Sequence, residues 1–196
     1  MKNLFSLILF ATAVTVVAQP KKAPKMAPVL ASGYYTNQKG DTVRGEVQTN
    51  PEDETEFYRS FSFKPAKGGK VMPVDSKKAK SYGFDGKHFT LIPYNGAEVY
   101  AEYLVRGRLT FMEYKMHDKK DGEEIIGSVF FIQDAKADEA EKELRELKPI
   151  SQKFYKRDLR PYMKAQSIIW DDMDKFTFSK NSVVNALKEF NKFYEN

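Results

Sequence analysis

The sequence predicts an α+β domain: an antiparallel β meander, barrel- or sandwich-like, with a C-terminal helical segment packed against it. Three observations carry this expectation. Short runs of alternating polar and apolar residues recur from Ser32 to Asp134, separated by glycine-containing turns. Aromatic residues make up 14% of the chain, a share suited to a sheet whose large rings cover much of the apolar area. Beyond about Ala135 the apolar spacing lengthens towards that of a helix.

The chain opens with Lys2 and an apolar run from Leu4 to Val17 broken only by Ser and Thr, closing on Ala18. A basic start, a short apolar stretch and a small residue at the end describe a secretory signal peptide, residues 1–18, with cleavage expected after Ala18. The run is too short to span a bilayer comfortably, and no later segment is apolar over the roughly 18 residues a membrane helix needs. Residues 19–31 read as a basic linker, since Pro20, Pro24 and Pro28 interrupt any helix and nothing apolar repeats. Residues 32–196 then form one domain, β-rich over 32–134 and mainly helical over 135–196. Cysteine is absent, which removes disulfides, a thiolate nucleophile, cysteine-ligated metal and a lipoprotein anchor.

Within the domain, Gly33 to Asn37 and Thr42 to Gln48 flank Lys39-Gly40-Asp41 as a hairpin, with Val43, Gly45 and Val47 facing one way and Thr42, Arg44 and Glu46 the other. The acidic "TNPEDETE" reads as a loop. Tyr58 to Lys64 is the next strand, its Phe61 and Phe63 alternating with polar residues, and Val71 to Val74 is a short extended piece. Ser81 to Phe84 and His88 to Ile92 surround Asp85-Gly86, and Val99 to Val105 and Arg108 to Lys115 surround Arg106-Gly107. "HDKKDGEE" reads as a loop before the strand Ile125 to Gln133. "DEAEKELRELKP" is ambiguous between a short helix and an edge strand. Lys153 to Gln166 is a helix with Tyr155, Leu159, Tyr162 and Met163 on its apolar side, kinked or divided at Pro161. A short turn of helix, Ile168 to Lys175, follows. The last helix opens near Ser179 and places Val183, Val184, Leu187, Phe190, Asn191 and Tyr194 on one side.

In order, "GYYTNQKGDTVRGEV", "FSFKP", "VMPVDSKKAKSYGFDGKHFTLI", "YLVRGRLTFMEY" and "FYKRDLRPYMK" with "FSKNSVVNALKEFNKFY" resemble a loose family of exported, uncharacterised β-rich proteins of the Bacteroidetes type. The resemblance covers most of the chain after the linker and implies a periplasmic or surface protein. It brings no catalytic residue. Members often read Tyr-Asn where this chain has Phe190-Asn191.

Chemistry is sparse in the residues themselves. His88 and His117 lack a second ligand at metal spacing, and "HDKKDGEE" lacks the alternating carboxylates of a calcium loop. "WDDMD" is expected to set Asp171, Asp172 and Asp174 at a helix start, where they complement the helix dipole. Asp41, Glu46, Glu98, Glu102 and Glu113 supply carboxylates but no pairing signal. Serine hydrolase, zincin, phosphate-loop and dinucleotide motifs are absent, and no cofactor is expected. The formal charge of +5 permits binding to anionic partners, and export argues against nucleic acid. Lys153, Lys156, Arg157, Arg160 and Lys164 line the polar side of one helix, as a solvated face or as a contact for an anionic surface. The reading is an envelope protein that binds a partner protein, glycan or lipid without catalysis. The alternatives are a carboxylate-based periplasmic hydrolase and a barrel that carries a small apolar ligand.

Overall fold

The computed structural model describes residues 27–50, 53–120 and 122–194. The expected signal peptide and residues 19–26 of the expected linker lie outside them. The first strand, β1 (Val29–Asn37), begins directly after Pro28 and three residues ahead of Ser32.

Nine further strands follow: β2 (Thr42–Thr49), β3 (Ser60–Pro65), β4 (Met72–Asp75), β5 (Ala79–Phe84), β6 (Lys87–Tyr94), β7 (Ala97–Val105), β8 (Leu109–Lys120), β9 (Glu123–Asp134) and β10 (Lys148–Ile150). All pair antiparallel in one sheet of order β10-β9-β8-β7-β6-β5-β1-β2-β3-β4. Two meanders therefore meet where β1 pairs with β5. The ten strands form one open sheet, so it does not close into a barrel. Its edges, β4 and β10, are four and three residues long and have too few backbone groups to zip a seam.

The hairpins follow the turn chemistry. Asp85-Gly86 has φ of +47° and +76°, the double left-handed conformation of a type I′ turn. The turn between β6 and β7 is Asn95-Gly96, at +49° and +77°, an equally strong hairpin dipeptide that the sequence reading passes over. Two of the expected loops are largely ordered. "HDKKDGEE" belongs mostly to the strands, because β8 and β9 stay in register out to Lys120 opposite Glu123. Within "TNPEDETE", Glu54–Tyr58 forms a 3-10 helix whose first turn is capped by Asp53, which accepts from the Thr55 backbone N–H at 2.9 Å and the Thr55 hydroxyl at 2.6 Å. The Thr55 hydroxyl bond is the main reason the Asp53 carboxyl is held below its usual range. The ambiguous stretch contains both candidates in sequence, a 3-10 helix over Glu139–Arg145 and then edge strand β10.

Two cores result. One is aromatic: Tyr82 is fully buried and stacks between Phe61 at 3.9 Å and Phe89 at 4.6 Å, with Tyr100 edge-on at 5.0 Å. The alternation of Phe61 and Phe63 in β3 puts both rings into this core. Gly45 is required there. A Cβ on it would lie 2.2 Å from the Lys64 carbonyl oxygen and 2.6 Å from the Phe63 ring. The second core lies between β8–β9 and three helices, α1 (Tyr155–Met163), α2 (Ser167–Asp174) and α3 (Lys180–Lys192). Leu109, Phe111, Phe130 and Ile132 meet Tyr155, Leu159, Met163, Val183, Leu187 and Phe190 there, so the helical segment packs on the sheet as expected. Pro161 lies inside α1, which stops two residues later, and α2 starts afresh at Ser167. Asp171 and Asp172 fall in the C-terminal half of α2 instead of opening a helix; Lys175 answers Asp172 at 2.9 Å. Among the described residues, no helix is long and apolar enough to cross a membrane.

Burial holds the phenols of Tyr58, Tyr82 and Tyr100 well above their ordinary value of 10.0 and pushes Tyr162 up to about 12. A phenol whose folded pKa is raised contributes stability that is complete below 10.0 and is lost as the pH climbs through the folded value. The fold is therefore expected to unfold cooperatively at a pH above 10.0, with tyrosinate absorbance and loss of the circular-dichroism signal rising together. Tyrosinate formation complete near 10.0 with the fold intact is the contrary result.

Candidate functional site

The five basic residues of the expected contact face fall on and beside α1. Lys153, Arg157, Arg160 and Lys164 succeed one another at helical spacing, opposite the buried Tyr155, Leu159, Tyr162 and Met163. The docked side of the helix faces the second core, so the outward side is polar by construction. Its charges are only partly committed. The Arg157 guanidinium pairs with Asp158 at 2.8 Å, and Lys164 pairs with Glu141, which raises the Lys164 pKa. Lys153 and Arg160 are exposed, and neither has an ion-pair partner among the described residues.

An aromatic side chain that the sequence reading does not single out belongs to this face. Phe154 is 47% exposed and lies under the Lys153 ammonium, at 5.3 Å from the ring centroid, and the Arg157 guanidinium, at 4.9 Å. Its position three residues before Arg157, off the apolar spacing of Tyr155 and Leu159, is the signal that places it on the basic side. The helical segment also exposes Ile168 (80%), Phe176 (56%) and Phe193 (59%).

The remaining candidates are dispersed. His117 lies in β8 and not in a loop; its Nε2 is 3.2 Å from Asp53 Oδ2, and both groups are accessible to solvent. His88 is half-buried in β6, where Nδ1 meets the Tyr34 hydroxyl at 2.9 Å. Among the described residues no cluster of three His, Asp or Glu side chains forms a metal site.

Of the carboxylates, register brings one pair together. Glu102 of β7 stands directly opposite Glu113 of β8, in one row with Tyr82, Phe89 and Phe130. Like charges so placed repel, and each has its own compensation. Tyr58 donates its hydroxyl to Glu102 Oε2 at 3.1 Å. The buried Glu113 accepts from Ser128 Oγ at 2.7 Å and pairs through its other oxygen with Lys180 Nζ at 3.1 Å. These contacts use the carboxylates to hold the 3-10 helix and the start of α3 onto the sheet. Asp41 turns back on its own hairpin, accepting from Asn37 Nδ2, and Glu46 pairs with Lys64 at 3.2 Å.

Compared with family models, with curated proteins and with solved structures, the chain matches none of them.

Proposed function

We propose that the protein is an exported envelope component that binds, without catalysis, to an anionic amphiphilic surface through the outward face of α1. The observation that carries this is the solvated Phe154 ring clasped by Lys153 and Arg157, with Arg160 further along the same stripe. Such a surface meets cations with its headgroups and an aromatic ring with its upper acyl region. Export itself rests on the N-terminal charge and apolar pattern and on the resemblance in motif order. The non-catalytic reading draws support from Glu102 and Glu113, which are spent on hydrogen bonds and an ion pair within the fold.

Each cation near an anionic leaflet contributes about 1 kcal/mol, and partial burial of one phenylalanine adds roughly 1–2 kcal/mol. The sum corresponds to a weak, reversible contact that depends on a high density of anionic lipid. The full chain is expected to sediment with phosphatidylglycerol-rich vesicles, to stay in solution with phosphatidylcholine vesicles, and to release as salt rises. The double change Lys153→Glu and Arg160→Glu should abolish sedimentation, and Phe154→Ala should weaken it about fivefold or more. Unchanged binding by the charge-reversed protein removes this reading.

A further inference from the structure

A recess of about 410 Å³ lies on the sheet itself, away from α1. Register sets Arg44 of β2, Tyr34 of β1, Gly83 of β5 and His88 of β6 in one row across four adjacent strands. Gly83 leaves the middle of that row bare. A Cβ there would lie 2.9 Å from both His88 Nδ1 and the Tyr34 ring, and its absence lets the Tyr34 hydroxyl reach over to His88 Nδ1 at 2.9 Å. The two rings are thereby fixed, half-buried, with centroids 6.1 Å apart.

The rim has the opposite character. Arg44 and Asp85 line the recess, and neither side chain has a hydrogen-bond or ion-pair partner among the described residues; Asp85 is held at the turn with φ +47°. The guanidinium of Arg44 and the carboxylate of Asp85 therefore line one recess, together with Ser32 and the ring of Tyr34. A volume of this size falls within the range of ligand sites, about 300–1,000 Å³.

From this arrangement we infer that the recess is a carbohydrate-binding site. A sugar presents several hydroxyls, each both donor and acceptor, which a guanidinium and a carboxylate on one rim can meet, and a C–H face, which packs on an aromatic ring. An apolar ligand would leave Arg44 and Asp85 desolvated and unpaired. A phosphate would meet the Asp85 carboxylate. The site is open along the sheet, so it suits a residue of an oligosaccharide chain. It is independent of α1 in sequence and in chemistry.

The test is an amide NMR titration of the full chain with chitotetraose, cellotetraose, xylotetraose and tetragalacturonate, and separately with inorganic phosphate. At least one oligosaccharide should shift the amides of Tyr34, Gly83, Asp85 and Gly86 saturably, while phosphate leaves them in place. Arg44→Ala, a change at an exposed side chain, should weaken that binding roughly tenfold, the loss of one charge-assisted contact. Tyr34→Phe should keep the ring and weaken it less. The charge-reversed α1 variant should bind the sugar as the parent does, which separates this inference from vesicle binding. Absence of a saturable shift with all four oligosaccharides overturns it, as does an Arg44→Ala protein with undiminished affinity, or phosphate saturating the same amides.

Discussion

Asn191→Ala is expected to destabilise the protein by about 2–5 kcal/mol, the cost of leaving two buried backbone groups without partners. Asn191 is 2% exposed and lies on the sheet side of α3. Its side-chain oxygen accepts from the Leu109 N–H at 2.8 Å, and its Nδ2 donates to the Leu109 carbonyl at 2.9 Å. One amide thus replaces a missing strand at the start of β8, where the backbone would otherwise face an apolar helix. The joint is close enough that a Cβ on Gly107 would lie 2.4 Å from Asn191 Nδ2. Asn191→Asp preserves the acceptor but sets a carboxylate against the Leu109 carbonyl, so it should rescue little. Urea unfolding measures the effect, with Lys192→Ala as the control: its pair with Glu189 is exposed, and the change should stay within about 0.5 kcal/mol. A stability loss for Asn191→Ala no larger than the control contradicts this assignment.

Tyr82→Ala is expected to cost about 3–5 kcal/mol, in the range of large aromatic truncations that leave a cavity. The ring is the centre of the aromatic core, between Phe61 and Phe89, and its removal strips contact from both faces at once. Tyr82→Phe isolates the polar contribution. The hydroxyl donates to the Phe57 carbonyl at the 3-10 helix, and losing it should cost about 1–2 kcal/mol. The pair of variants read by thermal unfolding therefore splits packing from hydrogen bonding. Equal losses for Ala and Phe would show that the stack contributes nothing beyond the hydrogen bond.

Much of this was legible residue by residue. Asp85-Gly86 and the glycine turns located hairpins because a left-handed dipeptide is a local steric requirement. The spacing of Tyr155, Leu159, Tyr162 and Met163 identified the buried side of α1 and, by exclusion, the basic side. Phe154 immediately precedes α1, which begins at Tyr155, so the apolar spacing of the helix does not include it. "HDKKDGEE" has the composition of a loop, and the long β8–β9 ladder overrides that composition. The "WDDMD" acids were displaced because α2 begins at Ser167, four residues before Asp171.

By itself the sequence determined the α+β class, the place of most strands and of the three C-terminal helices, and which face of each is apolar, since these depend on dihedral preference and on periods of two and 3.6 residues. Tertiary structure alone decided that the sheet stays open, that β1 joins β5, that Glu102 faces Glu113, that Tyr34 reaches His88, and that Asn191 closes on Leu109 from 82 residues away. Those choices are settled by register and packing between distant residues. A change of one residue in pairing turns every side chain of a strand to the other face, and no local pattern contains that information.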